Sequence, residues 1–532
     1  MQSINKHLAW FDEHLLLIIA SFLFVFIPLY PKLPLFDILP GYIVRVRLED
    51  FFVATALLLW LVQVIRKKAQ FHSLLLMPIT IYLAVGFLSM LSAIFIIKTV
   101  PMEVNHVGKM ALHWLRRVEY FSLYFVVYSA IKKVQHVKLF TILFGLTVIT
   151  ASIYGLGQKL YQWPVYSTMN REFAKGWKLV LTEHARVPST FAGHYDFAAY
   201  LVLFLTISAS VFLFDKREPV KVVSLIGFTA ALISLILTSS RASYLSYLAA
   251  VTLAVSLLAF KKKDWLWGLK RWAIVIFVSI TFMVGFGDLS QRFADAIDVG
   301  RITGYIKHDV LKLPEQDKYL QLTDDLALVT SPSDQPFVPE SRIDRRTGKE
   351  LPPDVTNDLP AWYESTESAT MPGQMVAKAK PRTYSDNAFT FGLSQAIRFD
   401  ALWPRAIKGF LSNPLLGSGY STLTKERVEL FTEAESTDND ILRALGETGA
   451  LGFLAFYGII GYALWHAWGK REELNQSFIY AVVAGIAASS IGLIINALYI
   501  DVFEASKVAF TFWTLMGLFV ASVDKLGSKR PA

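Results

Sequence analysis

The sequence predicts an all-α membrane protein that crosses the bilayer about twelve times. Three observations carry that expectation. Hydrophobic residues make up 54% of the 532 positions and mean hydropathy is +0.43, beyond the usage of a soluble domain. The apolar residues fall in runs of about the 17–25 residues that a helix needs to cross the hydrocarbon core. Basic clusters follow every second run, the pattern of loops retained on the cytoplasmic side.

The runs are centred on residues 15–30, 51–65, 73–97, 113–131, 138–156, 198–214, 221–239, 242–260, 271–287, 450–468, 477–500 and 508–523. The first is not read as a cleavable signal peptide, because no small-residue cleavage site follows it and Pro31 and Pro34 end it instead. Arg66-Lys67-Lys68, Lys132-Lys133, Lys216-Arg217, Lys261-Lys262-Lys263, Lys470-Arg471 and the trio Lys525, Lys529 and Arg530 mark the even-numbered exits. Their agreement supports the span count, since one missed span would scramble the alternation. It also places both termini in the cytoplasm; the cytoplasmic (inner) membrane as the location is what the family resemblance given below implies.

The remaining loops then face outward. One runs from about Gly157 to Phe197, a tight hairpin at Ser239-Ser240-Arg241 joins the seventh and eighth spans, and a long loop runs from about Asp288 to Gly449. The expected organisation is spans one to nine over 1–287, the large loop over 288–449 and the last spans over 450–532. Residues 307–382 are rich in Pro, Asp, Glu, Ser and Thr and read as an irregular insertion that buries little apolar surface. The stretch from about Ser394 regains apolar periodicity through Ala396, Ile397, Phe399, Ala401, Leu402, Ile407 and Phe410, an amphipathic helix with Pro404 as a kink and Asn413-Pro414 as its stop.

Composition also excludes. With no cysteine, disulfide and thiol chemistry are out. His, Asp and Glu spacing suggests no metal cage. The +9 charge falls mostly in loops between spans, which points to lipid head groups and topology rather than nucleic acid.

Chemistry is expected on the outward face, because cations collect there against the orientation rule. Arg186 precedes Pro188-Ser-Thr-Phe-Ala-Gly-His194, Arg241 sits in the tight hairpin, and Arg398 and Arg405 flank Leu402-Trp403. Each has a plain alternative: a solvated loop or helix charge, or for Arg241 an arginine snorkelling to head groups. His194 is either a satisfied loop histidine or a base. Asp438 and Asn439 open a helix before Glu447, Gly449 and Gly452, and either cap it or act on substrate. Asp501 and Glu504 lie just outside the eleventh span, where they can serve as caps. Cations and a carboxylate from separate loops on one membrane face suit a lipid-linked pyrophosphate: the cations hold the leaving group and the carboxylate takes a proton from an attacking hydroxyl.

Arg186-Val-Pro-Ser-Thr-Phe-Ala-Gly-His194, Ser239-Ser-Arg241-Ala-Ser-Tyr-Leu, and Arg398-Phe-Asp-Ala-Leu-Trp403 followed by Asn413-Pro-Leu-Leu-Gly-Ser-Gly419-Tyr together resemble the O-antigen ligase and Wzy polymerase superfamily, whose shared region is the Wzy_C domain. The family's ligases carry His-Asn and then Gly-x-x-Gly; here Asp438-Asn439 precedes Gly449 and Gly452 at the same spacing. Aspartate replaces the histidine proposed as general base, and its unperturbed pKa, about 3.9, makes it the weaker base, so both ligase and polymerase readings stand.

The resemblance implies glycan transfer from an undecaprenyl-pyrophosphate donor to a hydroxyl of an acceptor glycan or lipid A core, in lipopolysaccharide or surface-polysaccharide synthesis, without cofactor or metal. Arg186, Arg241 and Arg398 would bind the pyrophosphate, and Asp438 with Asn439 would serve the acceptor. The competing classes are a transporter or flippase of lipid-linked glycans, an O-linked protein oligosaccharyltransferase, and a scaffold with a partner-binding loop. A transporter predicts charges at mid-span; the spans hold few, chiefly Arg116, Arg117 and Glu119 toward the outer end of the fourth.

Overall fold

The computed structural model describes residues 2–39, 45–168, 173–182, 185–214, 218–286, 289–290, 362–368, 375–381, 384–423 and 436–527. The chain divides into two compact units, Met1–Leu289 with Leu402–Ala532, and Ser290–Ala401.

The first unit is a bundle of long helices: α1 Gln2–Leu29, α2 Leu48–Ile65, α3 Leu76–Leu91, α4 Val104–Ala130, α5 Val134–Tyr161, α6 His194–Phe214, α7 Glu218–Leu237, α8 Arg241–Lys262 and α9 Trp265–Gly285. After the second unit come α12 Trp403–Ser412, α13 Asp440–Gly469, α14 Ser477–Asn496 and α15 Ser506–Leu526. Helices are the expected form, because in lipid a segment must satisfy its own backbone N–H and C=O groups. Among the described residues, 11 helices are long and apolar enough to cross a membrane. The protein is therefore a polytopic all-α membrane protein. The remaining long helix, α4, matches the expected fourth run in position but carries Lys109, Arg116, Arg117 and Glu119.

Burial orders the bundle. The apolar window of α15 is 100% buried and that of α9 only 17%, so α15 is central and α9 peripheral. Helix α14 packs on α6 and α8, and α15 on α4. Close approach uses small residues: at Gly485 an added Cβ would lie 2.8 Å from the Ile207 Cα, and at Gly492 3.1 Å from the Ser246 carbonyl oxygen.

The basic exits meet at one end. Arg66 pairs with Asp12 at 2.6 Å and Lys68 pairs with the same carboxylate. Asp524 pairs with His466 at 2.7 Å and Lys470 at 3.2 Å, and Lys261 Nζ donates to the Arg471 carbonyl at 3.2 Å.

The second unit contains an antiparallel hairpin, β1 Trp362–Ser368 and β2 Met375–Pro381, with Trp362 opposite Pro381 and Ser368 opposite Met375. It lies in the stretch expected to be irregular. β-formers such as Trp362, Tyr363, Thr366 and Val376 supply a local preference that the overall composition hides. Residues 307–361 lie outside the described residues. The amphipathic stretch is not one kinked helix. Short helices α10 Asp386–Phe391 and α11 Leu393–Ile397 lead through a π turn, Arg398–Leu402, to α12. Pro404 sits in the first turn of α12, where a missing N–H costs nothing, and Asn413 is its C-cap.

Candidate functional site

The stretch before α13 is built by hydrogen bonds to two side chains. Asn439 is the N-cap: its Oδ1 accepts the Leu442 N–H at 2.9 Å. Asp438 is not the cap. It occupies the left-handed region at φ 49, and its Oδ1 accepts the Ser436 hydroxyl at 2.7 Å. Asp501 holds the segment from across the bundle. Its carboxylate accepts the Thr437 N–H at 2.8 Å, the Thr437 hydroxyl at 2.9 Å, the Asn439 N–H at 2.9 Å, the Ser436 hydroxyl at 3.0 Å and Arg443 Nη1 at 3.1 Å. Donors of that number satisfy a carboxylate's lone pairs, so Asp501 organises the loop that carries Asp438.

Behind the loop lies a buried charge network. Arg443 Nε stands 3.4 Å from Glu447 and Nη2 3.8 Å from Glu504, while Arg117 pairs with Glu504, approaches Glu447 to 3.8 Å and lies over the Tyr420 ring at 4.8 Å. Asp440 accepts the Phe503 N–H at 2.9 Å. A cavity of about 30 Å³ opens among Tyr82, Arg117, Tyr420, Asp440, Tyr457 and Glu504, room for at least one water. Burial raises the Tyr420 phenol well above its usual range, which keeps it neutral. Such a network is evidence of a fixed arrangement more than of added stability, because desolvation offsets much of the Coulomb gain.

The glycine motifs form one interlock. At Gly449 the helix is broken, φ 67 and ψ −170, which frees N–H groups from the i−4 ladder. Ala450 and Leu451 donate instead to the carbonyls of Pro414 and Leu415 at 2.8 and 3.2 Å, and Ser418 and Gly419 donate to those of Gly446 and Glu447 at 2.8 and 2.9 Å. Glu447 Oε1 in turn accepts the Ser421 N–H at 2.9 Å. Pro-Leu-Leu-Gly-Ser-Gly and Gly-x-x-Gly are therefore two halves of one backbone contact.

The arginine loops reach the same end of the bundle. Arg186 Nη1 donates to His194 Nε2 at 2.8 Å and to the Tyr195 hydroxyl at 3.0 Å. A guanidinium only donates, so His194 Nε2 is an acceptor here and Nδ1 is the nitrogen left to carry a proton. The next residue, Val187, donates to the Leu237 carbonyl at 3.3 Å, which joins this loop to the turn before α8. There Ser239 is left-handed at φ 51, Ser240 caps the helix and Arg241 is its first residue. Asn496 Nδ2 donates to Ser243 Oγ at 3.1 Å, and the Asp440 N–H to the Ala497 carbonyl at 2.9 Å. The end of α14 thus links the Arg241 turn to the Asp438 segment.

The structure brings Arg186, His194, Arg241, Asp438, Asn439 and Asp501 to one end of the first unit. Arg405 lies in the same unit on α12, half-buried beside Ala406, which packs over Gly446. Arg398 belongs to the second unit, where it is buried and donates to the Ser394 carbonyl at 3.0 Å and hydroxyl at 2.9 Å. Nearby, Ser385 and Asn387 each donate to Asp400 at 2.5 Å and hold its carboxyl below the usual carboxylate range.

Sequence reasoning missed three residues that build this end. Lys507 is buried and donates to the carbonyls of Pro28, Tyr30 and Thr190 at 3.0, 2.6 and 2.7 Å, tying the exit of α1 and the Arg186–His194 loop to the start of α15. Arg443 holds Asp501, Glu447 and Glu504 together. The available signal was a charge in the first turns of an otherwise apolar span, which is expensive unless it is paired. Lys32 is similar: it donates to Ser506 at 2.8 Å, and burial, with the neighbouring Arg47 charge, pushes its ammonium down to about 8.

The fold and this end define a class: a multi-pass helical membrane protein whose cationic and carboxylate loops gather where the helices emerge. Residues 226–457 match the family model Wzy_C, described as O-antigen ligase. Over that stretch the chain is similar to the O-antigen ligase family, membrane enzymes of the glycan ligase or polymerase type. The matched stretch contains Arg241, Arg398, Arg405, Asp438 and Asn439; Arg186, His194 and Asp501 lie outside it. No curated protein matches the chain.

Proposed function

We propose that this protein transfers a glycan from undecaprenyl pyrophosphate to an acceptor sugar hydroxyl on the outer face of the cytoplasmic membrane. The observation that carries the reading is the division of labour at residues 438–439: the Asn439 side chain caps α13, and Asp438, in the left-handed turn before it, supplies the carboxylate. In the reaction the acceptor oxygen bonds to the anomeric carbon and the bond from that carbon to the phosphate oxygen breaks. Its electron pair leaves with the pyrophosphate, and the acceptor's proton passes to Asp438. Arg186 and Arg241, whose loops are joined by the Val187–Leu237 hydrogen bond, stabilise the departing charge. Arg398 takes the same role from its motif alone. Asp501 positions the Asp438 loop, and His194 orients Arg186.

Orientation rests on the meeting of the basic exits at the opposite end, which is cytoplasmic by the positive-inside rule and takes both termini with it. The acceptor is lipid A core if the protein is a ligase, or a growing chain if it is a polymerase. A surface-glycan gel from a deletion strain separates these. Loss of lipid A-bound chains with lipid-linked polymer accumulating identifies a ligase, and chains stopped at one repeat identify a polymerase. Unchanged glycans overturn the proposal.

A further inference from the structure

Helix α12, Trp403–Ser412, is too short to span a membrane yet carries three distinct faces. One is packed on α13: Ala406 is 1% exposed, and an added Cβ at Gly409 would stand 3.1 Å from the Gly446 carbonyl oxygen. That close backbone approach fixes the rotation of the helix about its axis. At about 100° per residue, Ile407 and Leu411 then fall on a second face with Pro404, and Arg405, Lys408 and Ser412 on a third. The second face is bare: Ile407 is 47% and Leu411 67% exposed. Just past the helix, Leu415 is 62% exposed and its carbonyl accepts the Leu451 N–H at 3.2 Å. Leu451 and Leu454 are themselves exposed on α13, a candidate membrane span.

The exposed apolar residues of α12 are thus followed by Leu415, which the Leu451 hydrogen bond ties to the exposed Leu451 and Leu454 of a candidate membrane span. We propose that α12 is an interfacial helix. It lies in the plane of the bilayer at head-group depth, with Ile407, Leu411 and Leu415 among the acyl chains and Lys408 and Ser412 toward the phosphates and water. A short helix with an apolar stripe bounded by cationic and polar residues has this binding mode, and lysine at the boundary reaches the head groups by snorkelling. The partner is the lipid bilayer. The inference needs only that the chain is a membrane protein, so it stands or falls separately from the proposed reaction.

The absence of cysteine makes the test direct. Single-cysteine variants Ile407→Cys, Leu411→Cys, Leu415→Cys and Lys408→Cys are spin-labelled and reconstituted in phosphatidylglycerol–phosphatidylethanolamine liposomes. Relaxation by dissolved oxygen and by an aqueous nickel chelate is then read at each site. The expected result is an oxygen-to-nickel ratio several-fold higher at 407, 411 and 415 than at 408, with 407 and 411 at similar depth. Equal ratios at 408 and 411 overturn the proposal by placing α12 in water. Low accessibility to both reagents at 411 overturns it by showing a protein partner over that face. A depth difference of about 6 Å between 407 and 411 overturns the in-plane orientation, since four residues rise that far along a helix.

Discussion

The Asn439 backbone N–H donates to Asp501 Oδ1 at 2.9 Å across a sequence separation of 62 residues. That bond joins the entry of α13 to the loop between α14 and α15. It divides the neighbouring polar groups by role: Asn439 caps the start of the helix, Asp501 holds the loop, and Asp438 accepts the Ser436 hydroxyl. Chemistry and folding at this site are therefore separable by mutation.

Asp438→Asn retains shape but removes basicity. Transfer by the purified variant in liposomes is expected to fall by about 10²–10⁴ with its melting temperature unchanged. Asn439→Ala is expected to lose about 1 kcal/mol from the cap and so to show a lowered melting temperature. Near-normal transfer by Asp438→Asn would move the search for a base to His194.

Arg241→Lys keeps the charge but not the planar fork that matches phosphate oxygens. Impaired glycan transfer is expected for Arg241→Lys and a larger loss for Arg241→Ala, at normal expression. Full complementation by both variants would reduce Arg241 to a snorkelling residue.

Gly449→Ala places a Cβ on a residue at φ 67 and against the Leu415 backbone. The strain and overlap together cost about 2–5 kcal/mol. Thermal unfolding in detergent should show that loss, and Leu416→Ala, which leaves the backbone interlock intact, should lose less. Equal losses would mean that the two glycine motifs do not depend on each other.

Lys32 gives a pH signature. Its folded-state pKa of about 8 lies below the unfolded value of about 10.4. The unfolded chain then binds more protons between those values, so stability rises as pH climbs through that window and the burial penalty is felt in full below it. Lys32→Met removes the titrating group. Its melting temperature relative to the parent protein should be higher at pH 7 than at pH 10; a pH-independent difference would show that Lys32 is not the cause.

Reporter fusions at Lys68, Lys133, Lys216, Lys262 and Lys470 should report the cytoplasm, and a fusion at Asp334 the outside. A cytoplasmic signal at Asp334 would remove the outward-facing site.

The spans were legible because crossing a bilayer is a one-dimensional requirement. Apolar run length and the charge of each exit are local properties, and even the charged α4 was visible as a run with Arg116, Arg117 and Glu119 in it. Parity alone puts Arg186, Arg241 and Asp438 at one end. The sequence did not reveal which of two adjacent residues caps α13, because Asp438 and Asn439 have nearly the same capping preference. The left-handed turn at Asp438 and the Asp501 hydrogen bonds decide it. Nor did it reveal the Lys507 clamp, the Arg443 network or the interlock of Pro414–Gly419 with Gly446–Leu451. Those depend on groups far apart in the chain meeting within about 3 Å, with the right hydrogen-bond direction. Hydropathy and periodicity carry no information about such meetings; only the packed bundle determines them.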